Sequence, residues 1–527
     1  MSDLASEFTP AGASLADVYA PDLLAFQTAR YAKLRASFVD RFGSPPDFFA
    51  RSPGRANIIG EHVDSSGYSV LPMAIDRDVV IAVKTLPPTP GAVTVTLANT
   101  DARFPERTFD HEATGHVTID SKVHEWSNYF KCGYKGVLEQ LAVEGTPVAK
   151  PVGFYAMVDG TVPAGAGVSS SSAFVCCSAL ATLHAHSGVL NNGALTNAAI
   201  QGERYAGVQC GGMDQSISIM APAGSPLIIH FMPKLSADRI VFPTSKSAPV
   251  FVIANTLVVA DKHVTAPIHY NLRVVETRIA AAVLYKYLKG PALAADAKLL
   301  TLRDLQDTYL ASQNNPNGFT TGNEPAVLKA LSALVEAGLS KTPYTREQAA
   351  AALEISVAEL ERRYIGAINI RADSFRLYLR AKHVYEEALR VFQFRDVCAQ
   401  KPPLDSSSSA SNNSLLHDLG ALMDASQASC RDQFDCSCPE LEELTTIARN
   451  VGAFGSRLTG AGWGGCTVSL VAEENVAAFV AKVKEEYYFK RWPAWKGDKD
   501  KEAALEDIIF SSKPSIGAAV VTNFAGF

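Results

Sequence analysis

Between residues 20 and 45 apolar side chains recur at helical spacing, and Leu24, Phe26, Tyr31, Leu34 and Phe38 trace one face of a predicted amphipathic helix. The next apolar stretch, SPPDFFARSPGRANIIGEHVDSSGYSVLPMAID, reads as strand, tight turn, loop and a second strand-like segment. Alternation in VVIAVKTL and AVTVTLANT predicts paired strands between Val79 and Thr100. HEWSNYFKCGYKGVLEQL opens a helix whose start presents Trp126, Tyr129 and Phe130, aromatics suited either to wall a purine pocket or to pack a core. Cys176, Leu180 and Leu183 stand at i, i+4 and i+7, so a helix follows the small-residue stretch TVPAGAGVSSSS. Sheet-like pieces follow over 215–250, with a domain boundary around 230–250, and FVIANTLVVA at 251–260 reads as a buried strand. Between Asp373 and Phe394, Leu377, Ala381, Val384, Ala388 and Val391 predict a long helix, and PPLDSSSSASNNS at 402–414 reads as a flexible polar insert without chemistry.

Composition narrows the classes. A chain of 527 residues with 47% hydrophobic and 19% charged positions has room for two cored domains. A net charge of −6, with no Lys/Arg-rich run, argues against nucleic acid as the main partner. The N-terminal residues MSDLASEFTPAGASLADVYAPD lack an apolar core and carry acids without Arg, and no apolar run reaches membrane-spanning length, so the expected location is the cytosol. Nine cysteines in so long a chain do not make a disulfide framework. Cys430, Cys436 and Cys438 cluster, but without a fourth ligand or CxxC spacing they read as buried thiols rather than a zinc site.

Candidate chemistry sits where polar residues interrupt this pattern. Gly165 and Gly167 allow close backbone approach, and the helix behind them offers unpaired N–H groups to a phosphate, with Ser169, Ser170, Ser171 and Ser172 supplying hydroxyls. Arg55, Glu61, His62 and Asp64 crowd ten residues amid Ile, Val, Leu and Met, as a functional cluster or as a local salt-bridge network at a strand end. Glu203 falls in a predicted helix, and Asp214 follows Gly211 and Gly212, either held close to a ligand or capping the next segment. Gly460, Gly462 and Gly465 satisfy GxGxxG, yet the strand pattern from Cys466 to Val471 rules out a dinucleotide fingerprint. Neither glycine loop ends in GK[ST], and no HRD or DFG set is present.

Taken together, RSPGRANIIGEHVDSSGYSVLPMAID, VPAGAGVSSSSAF and SRLTGAGWGGCTVSLV resemble the three motifs of galactokinases within the GHMP small-molecule kinase superfamily. GERYAGVQCGGMDQSIS, HVTAPIHYNLRVVETR and SCRDQFDCSCPELEEL share the likeness, which runs from about residue 20 to the C-terminus. The resemblance implies an α/β (α+β) fold of two domains with a left-handed crossover in the first and the active site in the cleft between them. It divides the chain into an N-terminal extension at 1–20, a first domain at 21–240 and a second at 241–527 carrying the 402–414 insert. It further implies transfer of the γ-phosphoryl group of ATP, with Mg²⁺, to the anomeric hydroxyl of galactose. Asp214 matches the catalytic aspartate and Arg55 the arginine beside it. Glu61, His62 and Asp64 match the sugar-recognition triplet, with Gly211 and Tyr270 completing the pocket. Gly165, Gly167 and Ser169 to Ser172 match the phosphate loop, Ser171 and Glu203 the Mg²⁺ ligands, Trp126 and Tyr129 an aromatic segment near adenine, and Gly460, Gly462, Gly464 and Gly465 the third motif. Ser65 stands where the family commonly has Tyr, and Val168 where it has Leu.

Two further readings share most of these motifs. One makes N-acetylgalactosamine the acceptor, although Tyr270 in APIHYNLRVVE is closer to galactokinases proper. The other is a catalytically silent sugar and ATP sensor that regulates transcription; such paralogues shorten the serine loop, which is whole here.

Overall fold

The computed structural model describes residues 3–87, 92–112, 117–123, 125–207, 211–242, 248–258, 267–290, 300–312, 323–366, 368–399 and 409–524. Its centre is a seven-stranded sheet in the order Ala11–Ala13, Ala519–Val521, Phe48–Ile59, Leu71–Thr85, Phe154–Gly160, Ala92–Asn99 and Arg107–Glu112. The pairing is antiparallel except at Ala11–Ala13 with Ala519–Val521 and at Ala92–Asn99 with Phe154–Gly160. The runs around Val79 and Ala92 are strands as expected, but they do not pair with each other. Phe154–Gly160 lies between them and pairs with both, a placement that local alternation does not signal.

Phe48–Ile59 is buried along its whole length and is the strand from which the first motif emerges. Its register shifts between Pro53 and Arg55, where a bare Gly54 lets the carbonyl of Val168 pack close; a Cβ at Gly54 would stand 2.8 Å from that oxygen. Helices Trp126–Val143, Ser170–Ala185 and Asn192–Arg204 stack on one face of the sheet. They approach at glycines: a Cβ on Gly133 would lie 2.3 Å from the carbonyl oxygen of Val175, and one on Gly136 2.2 Å from that of Ala198. Helix Ser170–Ala185 is therefore buried nearly all round rather than along one stripe. Helix Leu24–Phe42 covers the opposite face through Tyr31, Leu34 and Phe38, whereas Phe26, expected on the same face, is 57% exposed and its place is taken by Gln27.

The second half holds an antiparallel sheet in the order Gly455–Thr459, Cys466–Ala472, Pro249–Asn255 and Ile509–Ser512. Helices Ser409–Ser429 and Pro439–Asn450 pack on it, and the long helix Leu377–Ala399 packs in turn on Ser409–Ser429 and on Tyr270–Tyr287. Residues 215–220, expected in sheet-like pieces, belong instead to helix Met213–Met220, with short strands following at Leu227–His230 and Ser236–Arg239. The last strand, Ala519–Val521, crosses back to pair with Phe49–Arg51, so the chain ends in the sheet of its first half. Of the polar stretch at 402–414, residues 402–408 lie outside the described residues, while Ser409 onward begins a helix rather than a flexible insert. Motif residues 208–210 and 263–266 and strand residues 259–260 also lie outside them. Cys430 and Cys436 are buried thiols as expected, whereas Cys438 is only partly buried. No described helix is long and apolar enough to cross a membrane.

Candidate active site

Three loops that are distant in sequence meet where the two sheets face each other. The glycine-serine loop turns through positive φ at Gly165, Gly167 and Ser169 before helix Ser170–Ala185 begins. It is pressed against the third-motif loop, for a Cβ on Gly460 would stand 2.3 Å from the carbonyl oxygen of Gly167, and one on Gly465 2.8 Å from that of Ala166. Only glycine fits both the left-handed backbone and the contact at Gly460.

Arg55 leaves its strand beside this loop. Its Nε donates to Asp214 Oδ1 at 2.8 Å and its Nη1 to the carbonyl of Gly167 at 2.6 Å. The hydroxyl of Ser169 donates to the other carboxylate oxygen of Asp214. Asp214 therefore does not cap its helix; Gly212 holds that position, and the carboxylate instead joins the first motif to the phosphate loop. Nor do Arg55, Glu61, His62 and Asp64 form a local network, because Arg55 pairs with Asp214 and Glu61 with Arg457.

Asp64 lies against Gly211, where a Cβ would come within 2.3 Å of its Cγ and Oδ2. Burial and the charge of Asp214 push its pKa up to about 6. His62, at positive φ, stacks on Phe434 with ring centroids 4.6 Å apart and faces Tyr270 at 5.8 Å. Burial and the neighbouring His383 depress its pKa to about 3, so the ring is neutral at physiological pH. Its Nε2 donates to the carbonyl of Ala461 at 2.9 Å, which leaves Nδ1 as an acceptor. Glu61 is 2% exposed, and its Oε2 accepts from Arg457 Nη2 at 3.0 Å and from the backbone N–H of Gly460 at 3.1 Å.

On the other side of the loop, Glu203 is buried and takes Ser171 Oγ at 3.1 Å on Oε1, with Ser172 Oγ at 2.8 Å and Gln215 Nε2 at 2.5 Å on Oε2. Among the described residues no group of three or more His, Cys, Asp or Glu side chains is arranged to hold a metal ion. Ser170 starts the helix, partly exposed. Trp126 stacks on Phe174 of that helix at 6.0 Å, with its Nε1 donating to the carbonyl of Pro105 at 3.0 Å. Burial pushes Tyr129 up to about 12. The structure thus gathers Arg55, Asp214, Ser169 and, through Ser171 and Ser172, Glu203 around the glycine-serine loop, while Glu61 and His62 bond to the adjoining third-motif loop with Tyr270 beside His62.

It also adds residues the sequence did not flag. Arg457 and Gln215 bond directly to the candidate carboxylates, and His383 and Glu387 grip the backbone of the first-motif loop from helix Leu377–Ala399. A lone charge in the otherwise uncharged strand GSRLT was the one available signal for Arg457.

Comparison with known proteins fits this arrangement. Residues 36–85 match the galactokinase galactose-binding signature, 128–221 the GHMP kinases N terminal domain and 410–488 the GHMP kinases C terminal domain. The chain is 39% identical to a galactokinase of Saccharomyces cerevisiae over 92% of its own length and 93% of the relative's. It is 38% identical to one of Dictyostelium discoideum, with 94% of each chain covered. The fold superposes on the galactose-complexed galactokinase of Lactococcus lactis with a TM-score of 0.62 at 21% identity, covering 93% of this chain and 99% of that one. At such identity over nearly the full length, with the galactose-binding signature on the strand that carries Arg55, the chain belongs to the galactokinase family of the GHMP kinases.

Proposed function

We propose that the protein transfers the γ-phosphoryl group of ATP to the anomeric hydroxyl of D-galactose, giving galactose 1-phosphate. One observation carries the reading: Asp214 and Arg55 are paired at the mouth of the glycine-serine loop, with Arg55 also bonded to its backbone at Gly167. Phosphoryl transfer asks chiefly for positioning and for charge stabilisation. Asp214 accepts or orients the proton of the sugar O1, and Arg55 holds that carboxylate and stabilises charge on the transferring group. Glu61, His62, Asp64, Gly211 and Tyr270 form the acceptor pocket, where buried groups that each require a hydroxyl partner penalise an epimer that leaves one unpaired. The N–H groups of Ser170 to Ser172, at the positive end of a long helix, receive the phosphates, and Trp126 and Tyr129 flank the base.

Ser171 Oγ and Glu203 Oε1 give an all-oxygen pair 3.1 Å apart, a donor set that suits a hard, largely hydrated cation. These two residues would hold Mg²⁺, which when bound supplies charge neutralisation on the phosphates. Ser172 and Gln215 fix the other oxygen of Glu203 and so aim the first. The division into two domains near residue 240, with the cleft between them as the site, and a cytosolic location complete the proposal. The unpaired described cysteines support a reducing compartment.

The test is an ADP-release assay with ATP and Mg²⁺ against galactose, N-acetylgalactosamine, glucose and no sugar. Release with galactose alone is expected. Comparable kcat/KM with N-acetylgalactosamine reassigns the acceptor, and no release with any sugar refutes the kinase reading in favour of a sensor.

A further inference from the structure

Arg457 is fully buried, and it joins the first motif to the third from behind the pocket. Its Nη2 reaches Glu61 Oε2 at 3.0 Å while its Nη1 donates to the carbonyl of Asn57 at 2.8 Å, across nearly 400 residues of chain. Resting on the reading above, in which Glu61 accepts a hydroxyl of the acceptor sugar, we propose that Arg457 is a positioning residue that sets sugar affinity by fixing the orientation and charge of the Glu61 carboxylate.

Burial raises the pKa of Glu61, and the charge of Arg457 is the largest influence opposing it, ahead of Arg55 on strand Phe48–Ile59. The other ionisable groups around it act elsewhere. His383 Nε2 donates to the backbone carbonyl of Glu61 at 3.0 Å, and Glu387 accepts from the N–H groups of Gly60 and Glu61 at 2.9 and 3.2 Å. The thiols of Cys430 and Cys436 approach from the turn behind, Cys430 lying 3.9 Å from Arg457 Nη2. Arg457 is thus the charged side chain bonded to the carboxylate, and it grips it with a guanidinium whose second arm is anchored on backbone. Without it, a buried carboxylate takes up a proton, and a protonated Glu61 loses part of its capacity to accept from a sugar hydroxyl.

The experiment is steady-state kinetics of the full chain with ATP and galactose for the wild type, Arg457→Gln, Arg457→Lys and Glu61→Gln, from about pH 6 to about 9, which spans the range where a carboxylate stripped of its counter-charge titrates. Arg457→Gln should raise galactose KM about tenfold or more near neutrality, on the scale of a misplaced charged hydrogen bond, and the KM should fall as pH rises and Glu61 ionises. Its kcat and its KM for ATP should stay within about threefold of wild type, since the phosphate side is untouched. Arg457→Lys keeps the charge but not the fork, so its galactose KM should rise only a few-fold, by a factor over wild type that stays constant with pH; this variant carries the test if Arg457→Gln does not fold. Glu61→Gln should raise galactose KM by a factor over wild type that does not change with pH. A galactose KM for Arg457→Gln within twofold of wild type, or one raised equally for ATP or without pH dependence, overturns the inference, as does an unchanged KM in Arg457→Lys. Those results in an active enzyme leave the functional reading standing; a wild type that does not turn over galactose overturns both.

Discussion

The contact between the two glycine loops makes a sharp prediction at Gly460. At φ 84° an alanine there adopts a left-handed backbone at a cost of about 1–2 kcal/mol. Its Cβ would also stand 2.3 Å from the carbonyl oxygen of Gly167. Ordinary non-bonded separations are about 3.5 Å, so the loops must part by about 1 Å. That carbonyl accepts from Arg55, whose Nε holds Asp214, so the shift passes directly to the proposed catalytic pair. A misplacement of about 1 Å costs on the order of 10²-fold in rate, and Gly460→Ala should lose about that factor in kcat with galactose and ATP. Gly497→Ala is the control, since its φ of 86° imposes the same backbone strain with nothing within 4 Å of the added Cβ. It should lower the melting temperature yet leave kcat unchanged. The reasoning fails if Gly460→Ala keeps kcat within about threefold, or if Gly497→Ala slows turnover as much.

Other perturbations follow from the same geometry. Asp214→Ala should abolish 1-phosphate formation while galactose binding stays measurable by calorimetry; near-normal turnover would remove Asp214 from the chemistry. Arg55→Ala should cost several kcal/mol of transition-state stabilisation, about 10²-fold or more in kcat, and a change of only a few-fold would make Arg55 structural. Because the pKa of Asp64 is raised to about 6, galactose KM should climb as pH falls through that value, and in Asp214→Asn, where one cause of the rise is gone, the inflection in galactose binding should move to lower pH. The same raised pKa means that the folded state holds a proton the unfolded chain has lost. Stability should therefore decrease as pH rises from about 4 to about 6, a trend that thermal unfolding of wild type and Asp64→Asn would reveal by difference. Glu203→Gln should raise the Mg²⁺ concentration needed for half-maximal rate, and an unchanged Mg²⁺ dependence would dissociate Glu203 from the metal.

Much of this site was legible because its groups interrupt a strong apolar pattern. Arg55, Glu61, His62 and Asp64 stand out in a segment of Ile, Val and Leu, and glycines at 165, 167, 460 and 465 mark loops where backbones touch. What escaped was pairing over long distances. Local alternation identified the strands near Val79 and Ala92 but carried no information that Phe154–Gly160 inserts between them. Phe26 kept helical spacing and still faces solvent, because the neighbouring sheet decides which side of the helix is covered.

The sequence by itself determined the local devices: the glycines that permit positive φ, the serines at a helix start, the acid and base side chains and the apolar periods, since each depends only on a residue and its near neighbours. Tertiary structure alone decided that Arg55 meets Asp214, that Arg457 meets Glu61 and that the last strand, Ala519–Val521, returns to the first sheet. Those contacts join residues from about 160 to more than 450 positions apart, where local sequence pattern carries no information and only tertiary packing fixes who faces whom.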